Sequence, residues 1–430
     1  MLIPRNAFSL CLLILGSLAH AQDIDESELF GDPNLVVVPP PTDSNPPPPE
    51  TGLRSCGEIQ STATVMAMRT GDMPDLQFQQ TGTLFLDARS ESNYKAFAAL
   101  EGTVANDSTL NSYHLRELFL DFSLMDRVYF RLGKQVLQWS RTYFFHPADL
   151  VNVEQKSFVE RAGTLEGVQG IRTHIPFGTR ANLYAFVNAD DANTVQDLDY
   201  AGKAEALLGG TEVSIGAWKS SGLNPVYSMD FSSGLWDWDI AGEVSLHPNG
   251  FTELFEIVHD TLFVHTNQDW TPRVCFSFGS TFDFGAYTDR IRLQLEYYYN
   301  GLGYDYALLE DMQEYPWAQS VDFIGTSIRK GPMSTWLLAK GKAIPLTTAR
   351  HYGAFFSSFS HFFISDLTLS VNGILNAIDA SYLFSTTLQY TTLHNLDFAL
   401  TVLSLGGPFP GELNFSGQRI STQVIATFRF

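Results

Sequence analysis

The stretch RIRLQLEYYYN (290–300) alternates strictly. Ile291, Leu293, Leu295, Tyr297 and Tyr299 fall on one side, and Arg290, Arg292, Gln294, Glu296, Tyr298 and Asn300 on the other. A period of two is the geometry of an extended strand, whose successive side chains point to opposite faces. The pattern recurs. In LFLDFSL, Leu118, Leu120, Phe122 and Leu124 oppose Glu117, Phe119, Asp121 and Ser123. In WDWDIAGEVSL, Trp236, Trp238, Ile240, Val244 and Leu246 oppose Asp237, Asp239, Glu243 and Ser245. Weaker copies run through 83–89, 94–104, 128–132, 181–187, 367–375, 382–390 and 397–405. From Gly57 onward the chain reads as segments of about ten residues separated by turn residues, which predicts an all-β fold.

Two architectures use such strands. A soluble sandwich or solenoid buries the apolar face in a core; a membrane barrel turns that face to lipid and keeps the polar face for a wet interior. The polar faces here carry full charges of both signs, such as Arg292 with Glu296 and Asp87 with Arg89. Aromatics gather at strand ends, as in Trp236/Trp238 and Tyr297/Tyr299, where an interfacial girdle would fall. Some turns are short (124–127 and 176–180), and the long polar insertions would then lie at the opposite end. No stretch of the chain after residue 21 reaches the ~18 apolar residues that a spanning helix needs. The expectation is a transmembrane antiparallel β-barrel.

Both ends of the chain fit that reading. MLIPRNAFSLCLLILGSLAHA has a basic start at Arg5, an apolar run from Phe8 to Leu18 and a small-x-small site at 19–21, so residues 1–21 read as a secretory signal peptide cleaved after Ala21. The final stretch RISTQVIATFRF alternates Ile420, Thr422, Val424, Ala426 and Phe428 against Ser421, Gln423, Ile425, Thr427 and Arg429, and stops on Phe430. A terminal phenylalanine on an alternating strand resembles the signal by which Gram-negative outer-membrane proteins are recognised by the barrel-assembly machinery. Residues 22–56 read as an acidic, proline-rich periplasmic linker, with eight prolines between Pro33 and Pro49 enforcing an extended backbone. Residues 57–430 then form the barrel. At roughly 20–25 residues per strand with its share of loop, this length holds about 16 strands, with 14 and 18 also consistent. The segment 250–267 is ambiguous, because Phe251, Leu254, Phe255, Val258 and Leu262 also fit one face of a loop helix.

The chain carries 26 basic and 47 acidic residues, a net charge of −21, which excludes nucleic acid as a partner. After the signal peptide only Cys56 and Cys275 remain, so no disulfide framework is expected. There is no nucleophile elbow, no Walker loop, no dinucleotide fingerprint and no two-histidine metal spacing. Nothing points to an enzyme or to a cofactor, and no plug domain of transporter size precedes the barrel.

One segment breaks the monotony: YFRLGKQVLQWSRTYFFHPADLVN (129–152). Lys134, Gln135, Trp139, Pro147, Asp149 and Leu150 resemble a strand-and-loop pattern (Gly-Lys/Arg-Gln, Trp-Gly, Pro-x-Asp-Leu/Val) of a large, mostly uncharacterised group of porin-like Gram-negative outer-membrane barrels. Ser140 stands where that pattern has glycine, and EYYYNGLGY (296–304) is a looser second match. The resemblance implies a porin-like barrel and names no solute. Physically, the 138–164 loop carries Arg141, His146, Asp149 and Arg161, which would order water and sort solutes if it folded into the interior. Held outside, it would be an ordinary turn around Asp149. Asp87, Arg89, Lys95, Glu101, Glu117, Asp121, Arg131, Arg292 and Glu296 are the candidate pore-lining residues; they could equally brace the wall as cross-strand pairs.

The functional expectation is a channel for passive diffusion of small solutes, in contact with outer-membrane lipid. An apolar outer face would also serve a homo-oligomer. The competing expectation is a closed structural or adhesin-like barrel that meets partners through its loops or its proline-rich segment.

Overall fold

The computed structural model describes residues 51–430 apart from 70–72, 91–93, 138, 150, 152–165, 191, 249–252, 259–260, 267–268, 286, 306–328, 333–347, 392–394, 410 and 415–416. The expected signal peptide and most of the proline-rich linker lie outside the described residues.

The strands, in chain order, are β1 (Gly52–Met68), β2 (Asp75–Arg89), β3 (Lys95–Ala105), β4 (Ser112–Leu124), β5 (Val128–Gln135), β6 (Val168–Phe177) and β7 (Ala181–Asn188). There follow β8 (Asp199–Leu208), β9 (Thr211–Lys219), β10 (Val226–Leu235), β11 (Trp238–His247), β12 (Glu253–Val258), β13 (Thr261–Thr266) and β14 (Thr271–Phe284). The last are β15 (Tyr287–Asn300), β16 (Arg329–Pro332), β17 (His351–Phe359), β18 (Leu367–Asn376), β19 (Tyr382–Thr391), β20 (Leu396–Gly406) and β21 (Gln418–Arg429). All but β12, β13 and β16 form one 18-stranded antiparallel sheet in which each strand pairs with its neighbours in sequence. β1 pairs with β21 from Glu58↔Arg429 to Met68↔Gln418, so the sheet closes on itself. Closure leaves no edge strand.

The count is therefore eighteen, the upper of the values consistent with the length, and not the central sixteen. Turns as tight as 209–210 and 236–237 let strands follow one another more densely than an average porin allows. β1 also starts at Gly52, ahead of the expected barrel start, and residues 52–56 pair with β2 alone. The segment expected as strand or loop helix is a hairpin: β12 and β13 pair with each other, and β12 pairs with β16, making a separate three-stranded sheet. Its β-branched and aromatic content (LFEIV, LFVHT) favours extended backbone over helix.

Exposure follows the alternation. On β4 Leu118, Leu120 and Leu124 are exposed while Phe119 is buried; on β15 Leu295 and Tyr297 are exposed while Glu296 and Tyr298 are buried. The barrel is thus apolar outside and polar inside, the polarity of a membrane barrel. Tyr129, Phe177, Trp236, Phe284, Phe363 and Tyr390 stand exposed beside the short turns. Tyr113, Tyr200, Tyr227, Trp270, Tyr297 and Tyr382 stand exposed at the opposite strand ends. These are two aromatic belts, one for each membrane interface. The long connections 136–167, 248–270 and 301–350 all leave from the second end, while β1 begins and β21 ends at the first.

The seam shows why the outer face matters at Phe430. Its backbone N–H donates to the Gly57 carbonyl at 2.9 Å, and its carbonyl accepts from the Gly57 N–H at 2.8 Å. Its ring lies over Gly57: a Cβ there would sit 2.9 Å from ring atom Cζ and 2.6 Å from the Thr83 carbonyl oxygen. Gly57→Val is expected to displace the ring and cost about 1–3 kcal/mol as an overpacked contact. Heat-modifiability on detergent gels checks it: the fraction migrating as folded barrel falls, whereas an unchanged fraction would show that the ring has somewhere else to go.

Candidate functional site

β5 delivers the chain into the barrel. Within it, Gly133 has φ +127°, and a Cβ would meet the Leu118 carbonyl oxygen at 2.2 Å, so only glycine fits that close approach to β4. Beyond β5, Leu137, Trp139 and Val151 pack with Val168, Phe186 and Ala201 of β6, β7 and β8 in a buried apolar cluster. This cluster ties both ends of the loop to the inner wall.

From that root the loop crosses the interior. The Arg141 guanidinium meets Glu205 of β8 (2.9 Å), Asp230 of β10 (2.7 Å) and Glu212 of β9. Lys203 of β8 joins the same group, 3.1 Å from Asp230 and 3.4 Å from Glu205, and donates to the Trp139 carbonyl. Next, Glu243 of β11 accepts from the backbone N–H groups of Arg141, Thr142 (2.8 Å) and Ala148 (3.0 Å). Glu296 of β15 accepts from those of Tyr143, Phe144 (3.0 Å) and Phe145 (3.0 Å), and from the Ser277 hydroxyl (2.8 Å). The Phe145 ring stacks on Tyr298 at 4.7 Å between centroids, and Tyr143 and Phe144 pack on Phe356 of β17.

β15 and β17 stand about halfway round the barrel from β5. A connection that reaches β8–β11 and then β15 and β17 can do so only from inside a closed sheet. The two carboxylates act as clamps. Each presents two oxygens to three amides of a non-helical segment, and a charged acceptor makes such bonds about twice as strong as a neutral one.

The sequence-based candidates are placed as follows. Asp87 holds Arg89 (3.1 Å) and Lys95 (3.3 Å); Glu101 holds Arg116 (2.8 Å); Asp121 holds Arg131 (2.6 Å), whose guanidinium lies 3.7 Å from the centre of the Phe119 ring. Glu117 accepts from the Val136 N–H at 2.9 Å, at the point where the loop leaves β5. Arg292 is exposed on the same face as Glu296. All nine lie on the interior face, most of them as cross-strand pairs. Of the loop candidates, Arg141 is the bridge just described. His146 Nδ1 is 2.6 Å from the Ser140 hydroxyl, and the Asp149 N–H donates to the His146 carbonyl in a turn. Arg161 lies outside the described residues.

The wall partners Lys203, Glu205, Glu212, Asp230 and Glu243 were not singled out as site residues from the sequence. Only Glu243 carried a signal, on the polar face of a quoted segment.

A second buried polar cluster sits at the long-connection end. Glu412 accepts from the Thr348 hydroxyl (2.7 Å), the Tyr352 hydroxyl (2.6 Å) and the Asn376 amide (2.8 Å). Asp379 accepts from Tyr304 (2.7 Å) and from the Glu412 N–H (2.8 Å). Burial, and behind it the carboxylates of Glu412 and Asp379, push the Tyr304 hydroxyl far above its usual range, so it stays a donor. Three outer connections (301–350, 377–381 and 407–417) are thereby locked to one another.

The barrel resembles several solved structures. It matches OccAB4 of Acinetobacter baumannii with a TM-score of 0.53 at 8% identity, over 90% of this chain and 100% of that one. A BenF-like porin of Pseudomonas fluorescens Pf-5 matches at 0.52 and 10%, over 88% and 98%. OccK2 (OpdF) of Pseudomonas aeruginosa, solved in complex with glucuronate, matches at 0.51 and 8%, over 88% and 96%. The fold is that of the outer-membrane porins. No protein-family model matches the sequence, and neither does any curated protein.

Proposed function

We propose that the chain is an outer-membrane channel through which small hydrophilic solutes diffuse passively, with the 136–151 loop as its constriction. The observation that carries this reading is the path of that loop, from β5 across the interior to Glu243 and Glu296. A closed structural barrel has no need of an inner segment clamped at six amides. A channel does, because its cross-section is set there and must not fluctuate. Glu101, Glu117, Asp121 and Arg131 line the approach in this reading, with Arg141 at the narrowest level. Its solved neighbours include a BenF-like porin and a barrel that holds glucuronate, which supports transport over adhesion. Phe430, paired into the seam, serves as the recognition point for the assembly machinery.

The test is single-channel recording of the refolded protein in a planar bilayer, with a version starting at residue 51 beside it. Steady conductance is expected in both, and a several-fold rise on deleting residues 140–148, since the pore radius sets the current. Silence in both would sink the channel reading in favour of the closed, partner-binding barrel.

A further inference from the structure

The interior wall is not uniform, and this bears on which solutes the proposed channel passes. Register carries one ring of side chains round the sheet: Ser358, Ser370, Thr387, Thr401, Gln423 and Thr64 are successive cross-strand partners on β17, β18, β19, β20, β21 and β1. Thr387 and Thr401 lie 3.0 Å apart through their hydroxyls. The ring on its turn-ward side continues in kind through Gln389, Ala399, Ile425, Thr62 and Gln79. Across β17–β21 and β1 the described interior residues are charged only near the short turns, at Asp397 with Arg429 (2.7 Å), Glu58 and Arg54, and at Arg419 near the outer mouth. Between those levels this sector is hydroxyl, amide and apolar groups, the largest being Phe356, which the loop covers.

The remaining wall is ionic. It is also the wall to which the constriction loop is tied, through β6–β11 and β15; the loop meets the neutral sector at β17, by ring contact of Tyr143 and Phe144 with Phe356. Its cations are largely neutralised where they stand: Arg89 and Lys95 by Asp87, Arg116 by Glu101, Arg131 by Asp121, Lys134 by Glu166, and Arg141 by three carboxylates. Arg172, Arg273 and Arg292 carry no ion pair among the described residues, and all three lie outside the neutral sector.

Resting on the channel reading, we infer that the solute path runs along the β18–β1 sector and that its preferred solutes are small, neutral and polyhydroxylated, of the sugar or polyol class. Serine, threonine, glutamine and asparagine both donate and accept, as sugar hydroxyls do, so a solute can exchange water for wall contacts one group at a time. Between Arg419 and the Asp397–Arg429 level, a carboxylate moving along the same wall finds no fixed cation to replace its hydration, and neutral donors compensate its desolvation only in part. Cations already bonded to carboxylates offer it little.

The experiment is swelling of liposomes containing the full-length protein in iso-osmotic arabinose, glucose or sodium gluconate, with KCl conductance measured on the same preparation. Glucose is expected to enter at least about threefold faster than gluconate, which is similar in size and charged. Gln423→Lys, which places a cation in the middle of the neutral ring, is expected to narrow that ratio at least twofold, whereas Arg292→Gln leaves it unchanged. A protein that conducts KCl and admits gluconate as fast as glucose overturns the inference and leaves the channel standing. So does a ratio that responds to Arg292→Gln and not to Gln423→Lys. If nothing enters and no current flows, the channel reading itself has failed, and the inference falls with it.

Discussion

Replacing Glu243 and Glu296 together by glutamine is expected to free the constriction loop while leaving the barrel intact. The two carboxylates hold six loop amides between them, those of Arg141, Thr142 and Ala148 on one and Tyr143, Phe144 and Phe145 on the other. Glutamine keeps one acceptor oxygen and turns an NH2 group toward donors. About half of the bonds are therefore lost, and each buried N–H left without a partner costs about 1–3 kcal/mol. A total on the order of 3 kcal/mol lowers the population of the docked loop by about two powers of ten. In single-channel records the wild-type level should give way to rapid switching, with a mean conductance at least about twofold higher. The strand ladder does not use these side chains, so heat-modifiability should persist. An unchanged conductance would mean that the Phe145–Tyr298 stack and Arg141 suffice to hold the loop.

The second large effect is expected from Arg141→Ala. Its guanidinium answers Glu205, Glu212 and Asp230; without it Glu205 and Asp230 keep Lys203 as their cation, and Glu212 has none among the described residues. Breaking a buried pair by removing one partner costs about 3–5 kcal/mol, and the lower end applies here because water screens Glu212. Glu212 is 53% exposed, while Asp230 is 2% exposed. The more direct readout is ion selectivity. Removing one positive charge at the level of the constriction should raise the preference for K+ over Cl− at least about threefold, read as zero-current potential across a KCl gradient. Arg141→Lys should recover only part of the wild-type value, because an ammonium cannot fork across three acceptors as a guanidinium does. A selectivity unchanged in Arg141→Ala would place the conducting path away from this residue.

The wall was legible in the sequence wherever one face is continuously apolar. Segments such as LFLDFSL and RIRLQLEYYYN announce both their strand and its orientation, and Glu296 and Asp121 were assigned to the interior on that pattern alone. β8 and β9 were harder. AGKAEALL and EVSIGAWK dilute the alternation with alanine and glycine, and strands of that kind, joined by two-residue turns, took the count from sixteen to eighteen. The inward loop was legible in part. A loop bearing Arg141 could be picked out, but whether it folded inward depended on acceptors distant in sequence, and no local spacing links Tyr143 to Glu296 or Arg141 to Asp230. Glu296 itself was read as a pore-lining charge, yet its oxygens are taken up by backbone amides. Charge on a polar face reports that a residue points inward and leaves open what it holds there.

The Glu58–Arg429 pairing of β1 with β21 has a kinetic consequence. Every other neighbouring pair closes a loop within one hairpin or one connection, so seventeen of the eighteen contacts are local. The seam instead brings together opposite ends of the whole sheet, at a loop-closure cost of about 5 kcal/mol before its own hydrogen bonds repay it. Until it forms, the chain is an open ribbon with two unsatisfied edges, the state in which β-proteins join the wrong neighbour. Seam formation is then the slow step of assembly, and its reopening the first step of disassembly. Selection on Gly57 and Phe430 would act on how quickly an exposed ribbon becomes a tube, more than on how stable the tube is once made.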